Sequence, residues 1–196
     1  PQARMKGLFA AIMEKTHVDC RERGYGYLSG VGNQNSTPIL VGKWGYQSIC
    51  PLDVKLGLGV APASQRLDDC DFARSWDDPV AIAWRLRHAS AGEYRVRWQG
   101  DSGHIYAATG HLGIHAEIGA FPRKQLPPSL RPLRRANPLH LWIGRDPTRD
   151  WSRSLYFDLP ARLRPSPLNL LWYDLTGRAR RHDQQRLRIH RFCGRC

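Results

Sequence analysis

The sequence predicts a single α+β domain, with a central antiparallel sheet and helices confined to the N-terminal half. Three observations carry that expectation. Tyr94-Arg-Val-Arg-Trp98 alternates apolar and basic residues, the period of a strand with one buried face. Leu139-His-Leu-Trp-Ile143 and Leu168-Asn-Leu-Leu-Trp-Tyr173 are short apolar runs of core-strand length. Apolar residues at helical spacing occur only early in the chain, at 5–14, just after Cys50, and at 79–88.

Taken in order, residues 5–14 form a short amphipathic helix with Leu8, Phe9, Ile12 and Met13 on one side. Residues 21–32, rich in Gly and Tyr, read as loop or edge strand. Asn33-Gln-Asn-Ser-Thr-Pro38 is a turn cluster, and Ile39-Leu-Val41 a short strand. Past Cys50, Pro51 sits where a first helical turn tolerates proline, and Asp53 favours a helix N-terminus. Leu52, Leu56 and Val60 would then form the helical face. Residues 68–78 are acidic. A helix follows, opened by Asp77 or Asp78, with Val80, Ala83 and Trp84 inward. Tyr94–Trp98, His104–Ala108 and Gly110–Ile118 are strands. The proline-rich, basic residues 122–138 read as an exposed loop. Leu187-Arg-Ile-His-Arg-Phe192 alternates again. The organisation expected is one domain over 1–196, in which 1–38 can stand apart as an N-terminal extension and 178–196 as a basic C-terminal segment.

With 196 residues, 41% hydrophobic and 24% charged, the chain is long enough for a real core and ordinary for a soluble globular domain. It has no apolar run long enough to span a membrane. The formal net charge of +13 makes nucleic acid, anionic cell-wall polymer or an anionic membrane surface suitable partners, without choosing among them. The five cysteines, Cys20, Cys50, Cys70, Cys193 and Cys196, allow one nucleophile with two disulfides in an oxidising compartment, or five reduced thiols in the cytosol.

Two residues carry the first chemical expectation. A thiolate at the N-terminus of the helix after Cys50 would be stabilised by the helix dipole, and an imidazole at the mouth of the strand holding His111 could take its proton. The order of helix-borne Cys and strand-borne His suits a papain-like α+β arrangement. Trp44-Gly45, Cys50, Leu58-Gly59-Val60, Pro62 with Ser64-Gln65, Gly100-Asp101 and Gly110-His111-Leu112-Gly113-Ile114 together resemble the NlpC-type and CHAP-type peptidoglycan amidases and endopeptidases. Ile49 and Pro51 stand where that family has Asp before the nucleophile and Ser-Gly after it. The resemblance implies Cys50 as nucleophile and His111 as general base, cleaving an amide bond in a cell-wall peptide. A third polar group, His140 or in reserve Asp146, would orient the imidazole. Such an enzyme would be secreted or periplasmic and would need neither cofactor nor metal.

A second expectation starts from His115-Ala116-Glu117. This triplet resembles the start of the zinc-binding helix of nucleobase deaminases. The matching Pro-Cys-x-x-Cys half is missing: Pro147-Thr-Arg-Asp-Trp151 holds no cysteine. The resemblance therefore implies a binding scaffold at most. His190, Cys193 and Cys196 have ligand spacing for zinc, and equally suit a terminal disulfide clip or two free thiols. Arg131, Arg134, Arg135, Arg178, Arg180, Arg181, Arg186 and Arg188, with Trp142, Trp151 and Trp172 nearby in sequence, could form a nucleic-acid groove, or be surface charge around core tryptophans. Three functions thus stand: a cysteine hydrolase, a basic nucleic-acid-binding protein, or a non-catalytic protein that docks on a protein partner.

Overall fold

The computed structural model describes residues 2–63, 72–73, 79–87, 94–111, 113–133, 139–164, 166–178, 182 and 187–190. In chain order the elements are helix α1 (Gln2–Glu22), strand β1 (Tyr27–Gly32), helix α2 (Ser36–Trp44), strands β2 (Gln47–Pro51), β3 (Asp53–Leu58) and β4 (Phe72–Ala73), and helix α3 (Pro79–Arg87). Strands β5 (Tyr94–Gln99), β6 (Ser102–Ala108), β7 (Ile114–Pro122), β8 (Arg131–Pro132), β9 (Leu139–Arg145), β10 (Tyr156–Asp158), β11 (Asn169–Asp174) and β12 (Leu187–His190) follow. The fold is α+β, and the described α-helices all precede β5. None of them is long and apolar enough to cross a membrane. The chain groups into two compact units, one of residues 1–51 and 166–182, the other of 52–165 and 183–196.

In the first unit β11 lies between β1 and β2, antiparallel to both. Helix α1 brings in His17, whose ring stacks on Tyr173 at 4.4 Å and meets Trp44 edge-on at 5.7 Å. Its Nε2 lies 3.3 Å from the Tyr46 hydroxyl. Tyr27 stacks on Trp172 at 4.0 Å, across the β1–β11 pair. The helix expected at 5–14 is the first half of the longer α1, but its apolar side is not buried, since Leu8, Phe9 and Ile12 are exposed. The strand expected at Ile39–Val41 is instead helix α2. Its start is set by Asn33, whose side-chain oxygen accepts the backbone N–H groups of Asn35 and Ser36 at 3.0 and 2.8 Å. Gly45, at φ 71°, closes it. Three β-prone residues cannot outweigh the Asn33 turn before the segment and the glycine that closes it. The stretch 21–32 divides into the end of α1 and the edge strand β1.

In the second unit the strand order is β10-β3-β9-β7-β6-β5-β8, with β12 pairing β9 and β4 pairing β12. Neighbours are antiparallel except β7–β9, β5–β8 and β4–β12. The helix expected after Cys50 is strand β3, bonded to β9 on one side and β10 on the other. Leu52 and Val54 are buried while Asp53 and Lys55 are partly exposed, a two-residue period that outweighs the weaker helical one. The strand expected from Gly110 begins only at Ile114, because Gly110 and Gly113 hold the preceding turn at φ 84° and 78°. The proline-rich stretch is not wholly exposed, since Leu126 and Pro127 are buried beside the 3-10 turn Arg123–Gln125.

The two faces of this sheet differ in chemistry. One carries the apolar core of Tyr94, Val96, Ile105, Ala107, Ile118 and Phe121, closed by Ile82 of α3 and by Leu126. Each large side chain buried there contributes about 1.5–3 kcal/mol. Helix α3 lies over this face with Ile82 and Leu86 inward. The expected inward positions Val80 and Trp84 point the other way and are exposed. The opposite face is polar. Arg95, Tyr106 and Glu117 stand abreast on β5, β6 and β7, and Arg97 stands beside His104. His115, His140, Gly57 and Tyr156 form a second row across β7, β9, β3 and β10.

Candidate nucleic-acid interface

The four residues of the hydrolase expectation fall in different surroundings. Cys50 is a strand residue of the first unit, 4% exposed, opposite Leu170 in the β2–β11 pair. No helix starts behind it, so the dipole that would stabilise its thiolate is not there. Neither Cys20 nor Cys50 is in a disulfide. Cys70, Cys193 and Cys196 lie outside the described residues, and with them the disulfide and C-terminal zinc expectations. His111 belongs to the second unit, in the exposed turn before β7, where its carbonyl accepts the Ile114 N–H at 3.2 Å. His140 is fully buried. Its Nδ1–H donates to the Gly59 carbonyl, and its ring lies 4.3 Å from that of Tyr106. Asp146 accepts from Thr148 Oγ1 at 2.7 Å and from Arg149 Nε at 3.2 Å.

His140 and Asp146 belong to a buried polar layer on the polar face. Its centre is Glu117, 3% exposed, with Arg149 Nη1 at 3.7 Å and the Ala61 N–H at 3.4 Å. Arg149 bridges Glu117 to Asp146, and its guanidinium also stands 5.3 Å from the Trp142 ring and 5.9 Å from the Trp151 ring. The Tyr156 hydroxyl donates to Gly59 at 3.0 Å. Burial pushes the Glu117 carboxyl above the usual range, against the pull of Arg149 and the Ala61 N–H. Burial first, and the nearby Glu117 charge second, push the Tyr106 and Tyr156 phenols up. Burial, then Arg149 and Arg97, hold His104 below the usual imidazole value. These groups tie the segments 59–61 and 146–151 down onto the sheet. Removing one partner of such a buried pair typically costs about 3–5 kcal/mol.

The helix that a deaminase would start at His115 is strand β7, and no described group of three or more His, Cys, Asp or Glu residues could hold a metal ion. Trp142 and Trp172 are buried, and Trp151 is partly so, packed 4.9 Å from Trp142 and 5.4 Å from Tyr156. These three are core tryptophans, not stacking platforms. Of the arginines grouped with them, the surroundings of Arg134, Arg135, Arg180, Arg181 and Arg186 lie outside the described residues, as does the side chain of Arg188.

Among the described residues the exposed indoles are Trp84 and Trp98, both on the helix-covered side of the second unit. Trp84 is 62% exposed on the outward ridge of α3, with Arg87 one turn further on and Arg85 beside it. Ile82 and Leu86, four apart, turn this ridge outward by burying the other side of the helix. Trp98 is the penultimate residue of β5 and is 37% exposed. Alternation puts it on the side of Tyr94 and Val96. The Arg123 guanidinium stands 4.5 Å above its ring, followed by exposed Lys124. The Arg123 N–H donates to the Asp101 carbonyl at 2.7 Å, fixing the 3-10 turn against the β5–β6 hairpin. Helix α3 packs on that same turn. Two indoles and four cations therefore share one side of the unit. The inverted assignment of the α3 faces hid Trp84. The other signal was legible: Trp98 closes an alternating strand at a Gly-Asp turn, and such strand ends reach solvent.

No protein-family model, curated protein or solved structure matches this chain.

Proposed function

We propose that this chain is a basic nucleic-acid-binding protein whose contact surface is formed by Trp84, Arg85, Arg87, Trp98, Arg123 and Lys124. The observation that carries the reading is the clustering of exposed indoles with arginines on one side of the second unit. Arginine forks match phosphate oxygens, and indole faces match base faces. A net charge of +13 draws a polyanion to such a surface from a distance. The cysteine-hydrolase expectation finds less support, because Cys50 is buried in strand β2 and the chain runs on from it into strand β3, not into a helix.

The test is binding of a fluorescein-labelled oligonucleotide by anisotropy over a range of salt concentrations. Affinity should fall steeply as salt rises. Replacing Arg85, Arg87, Arg123 and Lys124 together by Gln should flatten the log–log slope by about 3. Binding with an unchanged slope in that variant would overturn the assignment of the surface. No salt-dependent binding at all, together with fast, His111-dependent alkylation of Cys50 by iodoacetamide, would return the hydrolase.

A further inference from the structure

We infer that the nucleic acid held here is single-stranded, with bases stacked on Trp84 and on the Arg123 guanidinium that Trp98 supports. The inference rests on the binding reading above and names its substrate class. Its basis is a pairing that occurs twice. On α3, Trp84 and Arg87 lie one helical turn apart on the outward ridge. At the hairpin, Trp98 lies under the Arg123 guanidinium at 4.5 Å. On α3 the indole is exposed beside its cation, and at the hairpin the guanidinium covers the indole and becomes the outer surface of the pair; each suits a single nucleotide, which presents a base and a phosphate. In a duplex the base faces are consumed by stacking on one another, and only edges and backbone remain for a protein. A duplex partner would leave the Trp84 indole facing sugar and phosphate, which neither bury nor stack on it. An unpaired strand can lay one base on Trp84 and another on the Arg123 guanidinium over Trp98, with its phosphates on Arg85, Arg87 and Lys124. Stacking on an aromatic ring is sequence-tolerant, so little base preference is expected.

Three equally charged probes of about 20 nucleotides separate the cases, since this length exceeds the few nucleotides that one such surface occupies. They are oligo(dT), a duplex of the same total number of nucleotides, and a single strand whose central nucleotides are abasic. At one fixed salt concentration oligo(dT) should bind at least about 10-fold tighter than either of the others. Trp98→Ala and Trp84→Ala should each weaken oligo(dT) binding about 5- to 100-fold while leaving the salt slope unchanged, and Trp98→Phe should recover part of the loss. Should Trp98→Ala fail to fold, the abasic probe on the unaltered protein decides. Equal or tighter duplex binding, or an abasic strand bound as well as oligo(dT), overturns the inference while the nucleic-acid reading stands. Binding of none of the probes overturns both.

Discussion

Glu117 sits in a position where burial and pairing pull in opposite directions. Its carboxyl is nearly sealed from water, and its two partners are at long range, 3.7 Å to Arg149 and 3.4 Å to the Ala61 N–H. Burial wins, so its pKa is raised in the fold. An acid with a raised folded pKa binds its proton more tightly when folded. Its favourable contribution is therefore complete below the ordinary glutamate value and is lost as pH rises through the folded value. Glu117→Gln fixes the side chain in a form like the protonated one. The unaltered protein should lose more stability than Glu117→Gln between pH 4 and neutrality. Urea unfolding of both at several pH values reads this directly. A difference between them that does not change with pH would mean that Arg149 holds the carboxylate at an ordinary pKa. Part of this site was visible in the sequence and part was not. His140 and Asp146 stood out as polar groups beside a core strand. Their partners Gly59 and Arg149 lie in stretches read for other motifs, the amidase-like pattern and the 147–151 segment, and nothing local in either points to this layer.

At the scale of elements, the strands with clean alternation were legible, and the short mixed segments were not. Tyr94–Trp98 forms β5 because Tyr94 and Val96 are buried while Arg95 and Arg97 face the polar side. Leu52 to Gly57 held the same signal in Leu-Asp-Val-Lys, but Pro51 and Asp53 looked like a helix start. Partner strands on both sides decided it, and they lie far along the chain. Helix α3 was found at the right place and turned the wrong way. Two spacings compete within its nine residues, Val80 with Trp84 and Ile82 with Leu86, and only the second meets Leu126 and Phe121. The assignment of faces is testable. Ile82→Ala should cost about 2–4 kcal/mol, the range for emptying a fully buried aliphatic site. Val80→Ala, on the exposed ridge, should stay within about 0.5 kcal/mol of the parent. Denaturant unfolding with circular dichroism separates them, and equal costs would contradict the orientation that puts Trp84 at the surface.

For the molecule as a whole, the path of the chain matters more than its composition. The first unit is discontinuous: residues 1–51 are completed by 166–182, after the chain has built most of the second unit. The returning segment is not peripheral, because β11 is the middle strand, and β1 and β2 each pair with it and not with each other. It also brings Tyr173 to stack on His17 and Trp172 to stack on Tyr27. A chain ending at Pro165 would leave β1 and β2 as two unpaired strands, with their backbone groups deprived of partners and the His17 ring deprived of the one it stacks on. Two helices cannot replace that sheet, since α2 has no buried residue of its own and the exposed side of α1 bears Leu8, Phe9 and Ile12. Truncation at Pro165 should therefore unfold residues 1–51, and trypsin should cut at Arg21, Arg23 and Lys43 far faster than in the full chain. Because pairings of this sequence separation close late, the full chain should also gain protection at these sites more slowly during refolding than the β5–β6 hairpin forms. Pulsed proteolysis with mass spectrometry follows both processes. Native-like protection of Arg21, Arg23 and Lys43 in the truncated chain would show that β1 and β2 hold together without the strand between them.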